Sequence, residues 1–385
     1  MRIGINALFL QQPATGTGQH LFHLLQGLDQ HDRENTYVLL SPRFRRAGPP
    51  RFPELSPRFR NVQAVSALAR LGDNFEKLWW EQVGLLQACR REALDLLHCP
   101  YFASPILSPI PTVVTIHDVI PLLLPEYRAR LLGRAYTALC VLAARRARAI
   151  IAVSECSKRD IERTLRLPPE RVHVIGNAVD ESYQPIRDPR LLSSVRERYG
   201  IGERFILYFG GFDVRKNVFR LIEAYAKIRP RLDEPYQLVL AGRLRHIGHP
   251  LYPDPRPLVR ERGLESHVVF TGQIREQDKA PLYSAATLFV FPSLYEGFGM
   301  PVLEAMACGA AVITSNTSAL PEVAGDAAVL VDPTDTEALA QAMLELLRDP
   351  GRRAALGQAA RARAAHFSWG TVAEQTIRVY AQAAA

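Results

Sequence analysis

Short aliphatic runs alternate with helix-patterned stretches along the chain, stop at a polar break, and then start again. In the first half the strand-like runs are Arg2–Asn6, Tyr37–Leu40, Leu96–His98, Val113–Ile116, Ala149–Val153 and Val172–Ile175. Helical patterns fall at Gln19–Leu28, Asn74–Arg90, Arg128–Arg146 and Ser157–Leu165. Strands separated by helices cannot pair as hairpins, so they predict parallel βαβ units. The break is "NAVDESYQPIRDPR", Asn177 to Arg190, which is polar, holds two prolines and has no periodicity. After it come Phe205–Phe209, Gln237–Ala241, His267–Thr271, Leu288–Phe291, Ala311–Thr314 and Ala328–Val331. The helices between them are Val218–Ile228, Pro257–Arg262, Gln277–Ala285, Val302–Cys308, Pro321–Ala324 and Thr336–Leu347. The expected fold is therefore α/β, with two doubly wound parallel-sheet halves.

With 385 residues, 48% of them hydrophobic and 22% charged, there is material for more than one packed core. The net charge of +8 reads either as an Arg-rich solvated surface or as a face for anionic partners. No nucleic-acid motif accompanies it. The five cysteines form no C-x-x-C, which speaks against a zinc site or disulfide framework and fits a reducing, cytoplasmic setting. The opening "MRIGINALFL" lacks a signal peptide's cleavage region and reads as a first strand. The most apolar longer window, Ile106 to Pro125, holds His117, Asp118 and several prolines, which makes a poor membrane span. The Arg- and Pro-rich run Ser41 to Arg60 reads as a loop.

In open α/β sheets, ligands bind beyond the strand C-termini, so the segments after strands are where chemistry is sought. "PATGTGQHLFHLL" follows the first strand. Its Gly16, Thr17 and Gly18 either form a flexible turn or let backbone amides approach an anion at a helix start. Leu21 stands where a dinucleotide fingerprint has its last glycine. "TIHDVIP" places His117 and Asp118 at a strand end, as a structural pair or as site residues. In "LYFGGFDVRKN", Arg215 and Lys216 are either a solvated pair or a diphosphate clamp. In "VVFTGQIREQD", the backbone at Ile274 and the carboxylate of Glu276 could meet a nucleotide base, or Glu276 is an ordinary helix-start acid.

The densest segment is "EGFGMPVLE", Glu296 to Glu304. Gly297 and Gly299 permit tight backbone approach, and the amides of Phe298, Gly299 and Met300 could form an anion nest. Pro301 suits the first turn of a helix, which would carry Glu304. A helix-start acid accounts for Glu304 alone, but not for Glu296 or the glycines.

This segment resembles the E-x7-E motif of retaining glycosyltransferases of family 4, which have the GT-B fold of two facing Rossmann-like domains. The supporting pieces stand in the family's order: the Gly16–Gly18 loop, His117 after a strand, "VSECSKRDI" from Val153, "RKN" from Arg215, "FTGQI" from Phe270, and "HFSW" from His366, where the chain resembles the return to the first domain. The resemblance spans essentially the whole chain. It implies a first domain of residues 1–180 on the acceptor side, rejoined by a helix of about 368–385, and a donor domain of 181–367.

The resemblance further implies that Arg215 and Lys216 hold a diphosphate, Glu304 the ribose hydroxyls, Glu296 a donor-sugar hydroxyl, and the Phe298–Met300 amides the sugar and phosphate. His117 would lie near the donor sugar, and Gly16 to Gly18 would let the phosphates approach. Many members carry G-R-x5-K after the first strand of the second domain; here the glycine pair Gly210 and Gly211 stands where the arginine is expected. The implied reaction is front-face transfer with retention, from a nucleotide-sugar to a glycan or lipid-linked hydroxyl. General likeness of "IHDVIPLLLPE" to bacterial mannosyltransferases, together with Glu276, points to GDP-mannose; a UDP-sugar is the alternative. No D-x-D occurs, so no catalytic metal and no cofactor is expected. A GT-B epimerase, a phosphorylase and a non-catalytic nucleotide-binding scaffold stay open. Arg43–Arg60 and Arg128–Arg148 are the expected places for peripheral contact with the inner face of a membrane.

Overall fold

The structure is a computed structural model of the chain, and it describes residues 1–12, 15–42, 50–64, 73–127, 131–244 and 249–385. It divides into one unit of Met1–Asn177 with Ser368–Ala385, and another of Ala178–Phe367.

The first unit is built on seven parallel strands: β1 (Arg2–Asn6), β2 (Thr36–Pro42), β3 (Phe59–Ala64), β4 (Leu96–Cys99), β5 (Thr112–Ile116), β6 (Ala149–Ala152) and β7 (Val172–Val174). Their order is β3-β2-β1-β4-β5-β6-β7. Strands such as "TVVTI" of β5 are buried at every residue. Helices cover both faces of a parallel sheet, and this is why such strands read as unbroken aliphatic runs. The second unit has β8 (Phe205–Phe209), β9 (Gln237–Ala241), β10 (Val268–Gly272), β11 (Leu288–Phe291), β12 (Val312–Ser315) and β13 (Val329–Val331), ordered β10-β9-β8-β11-β12-β13. The expected pair of doubly wound sheets is present.

Each sheet winds outward in two directions from one seam, between β1 and β4 in the first unit and between β8 and β11 in the second. Loops leaving the two seam strands diverge to opposite faces and leave a crevice at their C-terminal ends.

Four elements differ from the sequence reading. The end of the expected Ser41–Arg60 loop is strand: β3 pairs with β2, and Phe59 stacks on Tyr37 with centroids 4.6 Å apart. An edge strand needs only one buried face, so its Arg and Asn residues hide it from an aliphatic search. The helix expected over Asn74–Arg90 is interrupted by a π turn, Trp80–Gly84, between Asp73–Trp79 and Leu85–Arg91. There Trp80 Nε1 donates to Asn6 Oδ1 at 3.1 Å, and the fully buried Glu81 accepts from the hydroxyls of Tyr101 (3.1 Å) and Tyr136 (3.0 Å). A wide turn lets both consecutive side chains point inward. The expected polar break closes early, because Asp188 caps a helix Pro189–Arg198 by accepting from Arg190 N. A further helix, Pro350–Ala364, follows Thr336–Arg348.

The last helix, Trp369–Ala384, returns to the first unit and packs on Gly16–His31. All five cysteines are free thiols. No described helix is long and apolar enough to cross a membrane.

Candidate active site

The second unit's seam holds the densest charge cluster. After β8 the chain turns through Gly210 and Gly211 into a 3-10 turn, Val214–Lys216, and then into the helix Val218–Ile228. Asn217 takes the left-handed φ of 58° that joins the two. Its Nδ2 donates to Pro292 O (3.0 Å) and Pro333 O (2.6 Å), while Arg215 O accepts from Leu294 N (2.8 Å) and Ser293 Oγ (3.1 Å). The loops after β8 and β11 are thus laced together by one backbone hydrogen bond and by side-chain donors onto backbone carbonyls before any charge is considered.

Into this frame the sequence sets Glu296, only 9% exposed. Its Oε1 lies 2.6 Å from Lys216 Nζ and accepts from Ser293 Oγ at 2.6 Å; its Oε2 lies 2.8 Å from Arg215 Nη1. Arg215 also donates to Tyr295 O at 2.7 Å and stands 3.4 Å from Asp213 Oδ1. Burial pushes the Glu296 carboxyl up, but the charges of Lys216 and Arg215 outweigh it and hold the group below its usual range. Burial lowers Lys216, with Glu296 opposing. The Lys216 ammonium also lies 4.9 Å from the Phe291 ring centroid. The structure therefore joins three expected site residues in one buried ion cluster.

Beyond Glu296 the chain passes Gly297 and Phe298, both buried, to Gly299, whose φ of 110° suits glycine alone. A Cβ there would also sit 2.7 Å from Leu320 Cδ2. The helix Met300–Ala307 opens here, with Pro301 in its first turn and no side-chain cap. An uncapped helix start at a strand end suits an anion. One turn in, the half-buried Glu304 accepts from Tyr283 Oη at 2.7 Å through Oε2. Burial raises the Glu304 carboxyl above its usual range, with Lys279 and the Tyr283 hydrogen bond opposing. Ile274 is buried just after β10, and Glu276 opens the helix Glu276–Ala285. The Glu276 carboxylate accepts from Tyr183 Oη at 2.7 Å and pairs with Lys279 at 2.8 Å. Gly211 O accepts from Tyr208 Oη at 2.5 Å.

In the first unit the helix Gly16–His31 starts beyond β1. Thr15 Oγ1 accepts from Gly18 N at 3.1 Å, so the Gly18 amide is engaged by its own cap. A Cβ on Gly18 would fall 2.4 Å from Gln12 O, whereas one on Gly16 meets nothing within 4 Å. Gly18 is thus required by packing, whereas Gly16 is exposed and Thr17 half-buried. His117 follows β5; its Nε2 is 3.3 Å from Pro100 O, and burial lowers its pKa to about 4, so the ring is neutral. Asp118 Oδ1 accepts from Ile120 N at 3.1 Å and shapes the turn.

Sequence reading missed His20. It is 6% exposed, meets His117 edge-on at 4.8 Å, and lies 2.8 Å through Nδ1 from Asn177 Oδ1. Trp369, at the start of the returning helix, packs on His20 (5.6 Å) and stacks on His23 (5.4 Å). Its one signal was its place one turn after Gly16. Ser293, Tyr283, Tyr183 and Lys279 were missed as well, since each reads as an ordinary core or surface residue. Among the described residues, no group of three His, Cys, Asp or Glu side chains is placed to hold a metal ion.

Both units match known families. Residues 14–183 fit the model described as Glycosyltransferase Family 4, and residues 194–363 that of Glycosyl transferases group 1. The chain is 34% identical over 269 residues to the O-antigen chain mannosyltransferase B of Escherichia coli, covering 70% of this chain and 69% of that protein. It is also 34% identical over 281 residues to the serotype-specific mannosyltransferase WbdA of Escherichia coli, but spans only 33% of that longer protein. Among solved structures it superposes on Anabaena HepE in complex with UDP and glucose with a TM-score of 0.75 at 20% identity, covering 99% of this chain and 100% of the other. These matches cover both units, and the protein is therefore a glycosyltransferase of family 4, with the GT-B pair of Rossmann-like domains.

Proposed function

We propose that the protein moves a hexose, mannose, from GDP-mannose to a hydroxyl of a glycan or lipid-linked acceptor, with retention and without a metal. The observation that carries this reading is Glu296 held between Lys216 and Arg215 at the β8–β11 seam. A donor diphosphate competes with the carboxylate for the two cations, the uncapped Met300 helix start receives its charge, and Glu296 turns to a sugar hydroxyl. Glu304 takes the ribose hydroxyls.

Glu296 is a poor nucleophile and a poor base, because two cations hold its charge. The sugar C1–phosphate oxygen bond breaks while the acceptor oxygen bonds to C1 on the same face. The acceptor proton passes to the leaving phosphate oxygen. The residues stabilise charge growing on the leaving group and transfer no proton themselves. Neutral His117 suits a hydrogen bond to the donor sugar.

Mannose is supported by the Escherichia coli relatives, and guanine by Glu276, 61% exposed and with carboxylate lone pairs beyond those used by Tyr183 and Lys279. A donor screen by mass spectrometry with GDP-mannose, UDP-glucose and UDP-galactose tests it. Transfer or slow hydrolysis of GDP-mannose alone is expected; exclusive turnover of a UDP-sugar overturns the donor assignment.

Peripheral membrane contact has its own support. Leu131 and Leu132 are 80% and 85% exposed at the start of the helix Leu131–Arg146, which also carries Arg134, Arg145 and Arg146. Apolar tips one turn from Arg134 suit an anionic leaflet. Of the two expected patches, Arg43, Arg45, Arg46, Arg128 and Arg130 lie outside the described residues. Retention on anionic liposomes at low salt, lost in Leu131→Ser/Leu132→Ser, is expected; equal retention of both proteins counts against it.

A further inference from the structure

Beside Glu304 stands a polar group that the transfer described above does not use. Tyr283 is fully buried, its ring packed against Phe289 and Phe209 with centroids 5.3 and 5.7 Å away. Core packing on two sides fixes where its hydroxyl points, and it points at Glu304 Oε2, 2.7 Å away. Tyr183 lies next to it, ring centroids 6.2 Å apart, and gives its hydroxyl to Glu276. Lys279 completes the group, paired with Glu276 and 5.4 Å from the Phe209 centroid.

A glutamate on a helix samples several rotamers, and gripping two neighbouring hydroxyls demands a carboxylate held to roughly 10–20°. Nothing covalent in the motif supplies that restraint, since the glycines and proline fix the backbone only. One oxygen tied to a phenol anchored in the core does. It restrains the rotamer of the whole carboxylate while lone pairs remain for further hydroxyls.

We infer that Tyr283 is a positioning residue for Glu304, and that this pair makes the enzyme select ribonucleoside diphosphates over their 2′-deoxy counterparts. The inference rests on the reading of Glu304 as the ribose acceptor, and names a residue and a selectivity that the reading lacks.

The test is titration calorimetry of the full chain with GDP, UDP and their 2′-deoxy forms. Wild type is expected to favour the better ribonucleotide over its deoxy form by on the order of tenfold, the scale of a hydrogen bond to a charged group. In Tyr283→Phe the ring packing stays, thermal unfolding confirms the fold, and the ratio falls toward unity. The loss comes from the ribonucleotide alone, with deoxy affinity held within about twofold. Tyr183→Phe, whose hydroxyl is given to Glu276 at 2.7 Å and also acts on Glu304, lowers the ratio less than Tyr283→Phe does. If wild type discriminates and Tyr283→Phe discriminates equally, the positioning role is wrong while Glu304 as ribose acceptor survives. If wild type itself binds both forms alike, the Glu304 reading fails and takes this one with it. Equal weakening of ribo and deoxy forms by Tyr283→Phe shows a structural role only, and also overturns the inference.

Discussion

Glu296 and Glu304 flank one helix start, yet their surroundings push them in opposite directions. Glu296 faces two cations, and its carboxyl is held low; Glu304 faces two tyrosines and a more distant lysine, and burial carries it high. Charge partners make a carboxylate permanent and occupied. Hydroxyl partners make it orientable and leave it able to accept more hydroxyls. One motif therefore sets an ion-paired carboxylate at one end and a hydroxyl-bonded one at the other.

The strongest way to break that contrast is Lys216→Ala. It strands the buried Glu296 charge beside Arg215 alone, with an expected stability loss of about 3–5 kcal/mol by urea unfolding. Transfer should fall by about 10²–10³-fold in kcat, as for loss of one charge-stabilising donor. Rates near wild type would remove Lys216 from the reaction.

Glu296→Gln sharpens the contrast, because two effects should separate. Transfer falls by about 10²-fold. Bare nucleoside diphosphate binds several-fold tighter, because Lys216 and Arg215 no longer serve a carboxylate. Calorimetry showing weaker binding instead would mean Glu296 does not compete with phosphate.

Gly299→Ala attacks the hinge between the two ends. Its φ of 110° and the approach of Leu320 predict a loss of about 1–3 kcal/mol, visible as a lowered Tm. An unchanged Tm would show that the backbone there can relax.

The smallest effect is in pH. Glu304 takes up its proton above the ordinary 4.5 and Glu296 below it. The depressed Glu296 contributes stability that is complete above the unfolded value and is lost as pH falls through its folded pKa. The raised Glu304 opposes folding when ionised, and that cost is relieved as pH falls. On acidification, ribonucleotide affinity should therefore drop before the fold weakens. Carboxyl NMR titration checks the order, and simultaneous loss of both would erase the distinction.

Much of this was readable because buried parallel strands leave uninterrupted aliphatic runs. β1, β8, β9 and β11 fall on the expected residues. β3 was not, since an edge strand with one wet face carries Arg60 and Asn61. The π turn at Trp80 comes from a tertiary demand, the burial of Trp80 and Glu81 together, and no local pattern announces it. Within the site, Glu296 and Glu304 stood out through the glycines and proline between them. Lys216 could be named from its loop, but its contact with Glu296 arises from the sheet seam. Tyr283 was invisible because a tyrosine on a helix looks like core, and here it is core with one polar atom in use.

The returning helix Trp369–Ala384 also sets an order of events at the ribosome. Its Tyr380 hydroxyl lies 2.7 Å from His98 Nδ1 in β4, and Val372, Ala373, Thr376 and Val379 are buried. The first unit is therefore begun by residues made before those of the second but lacks a wall until residues 369–384 emerge, whereas the second unit is one uninterrupted stretch. The nascent chain must carry an open sheet face while its later-born half closes, so the half synthesised first is the half finished last.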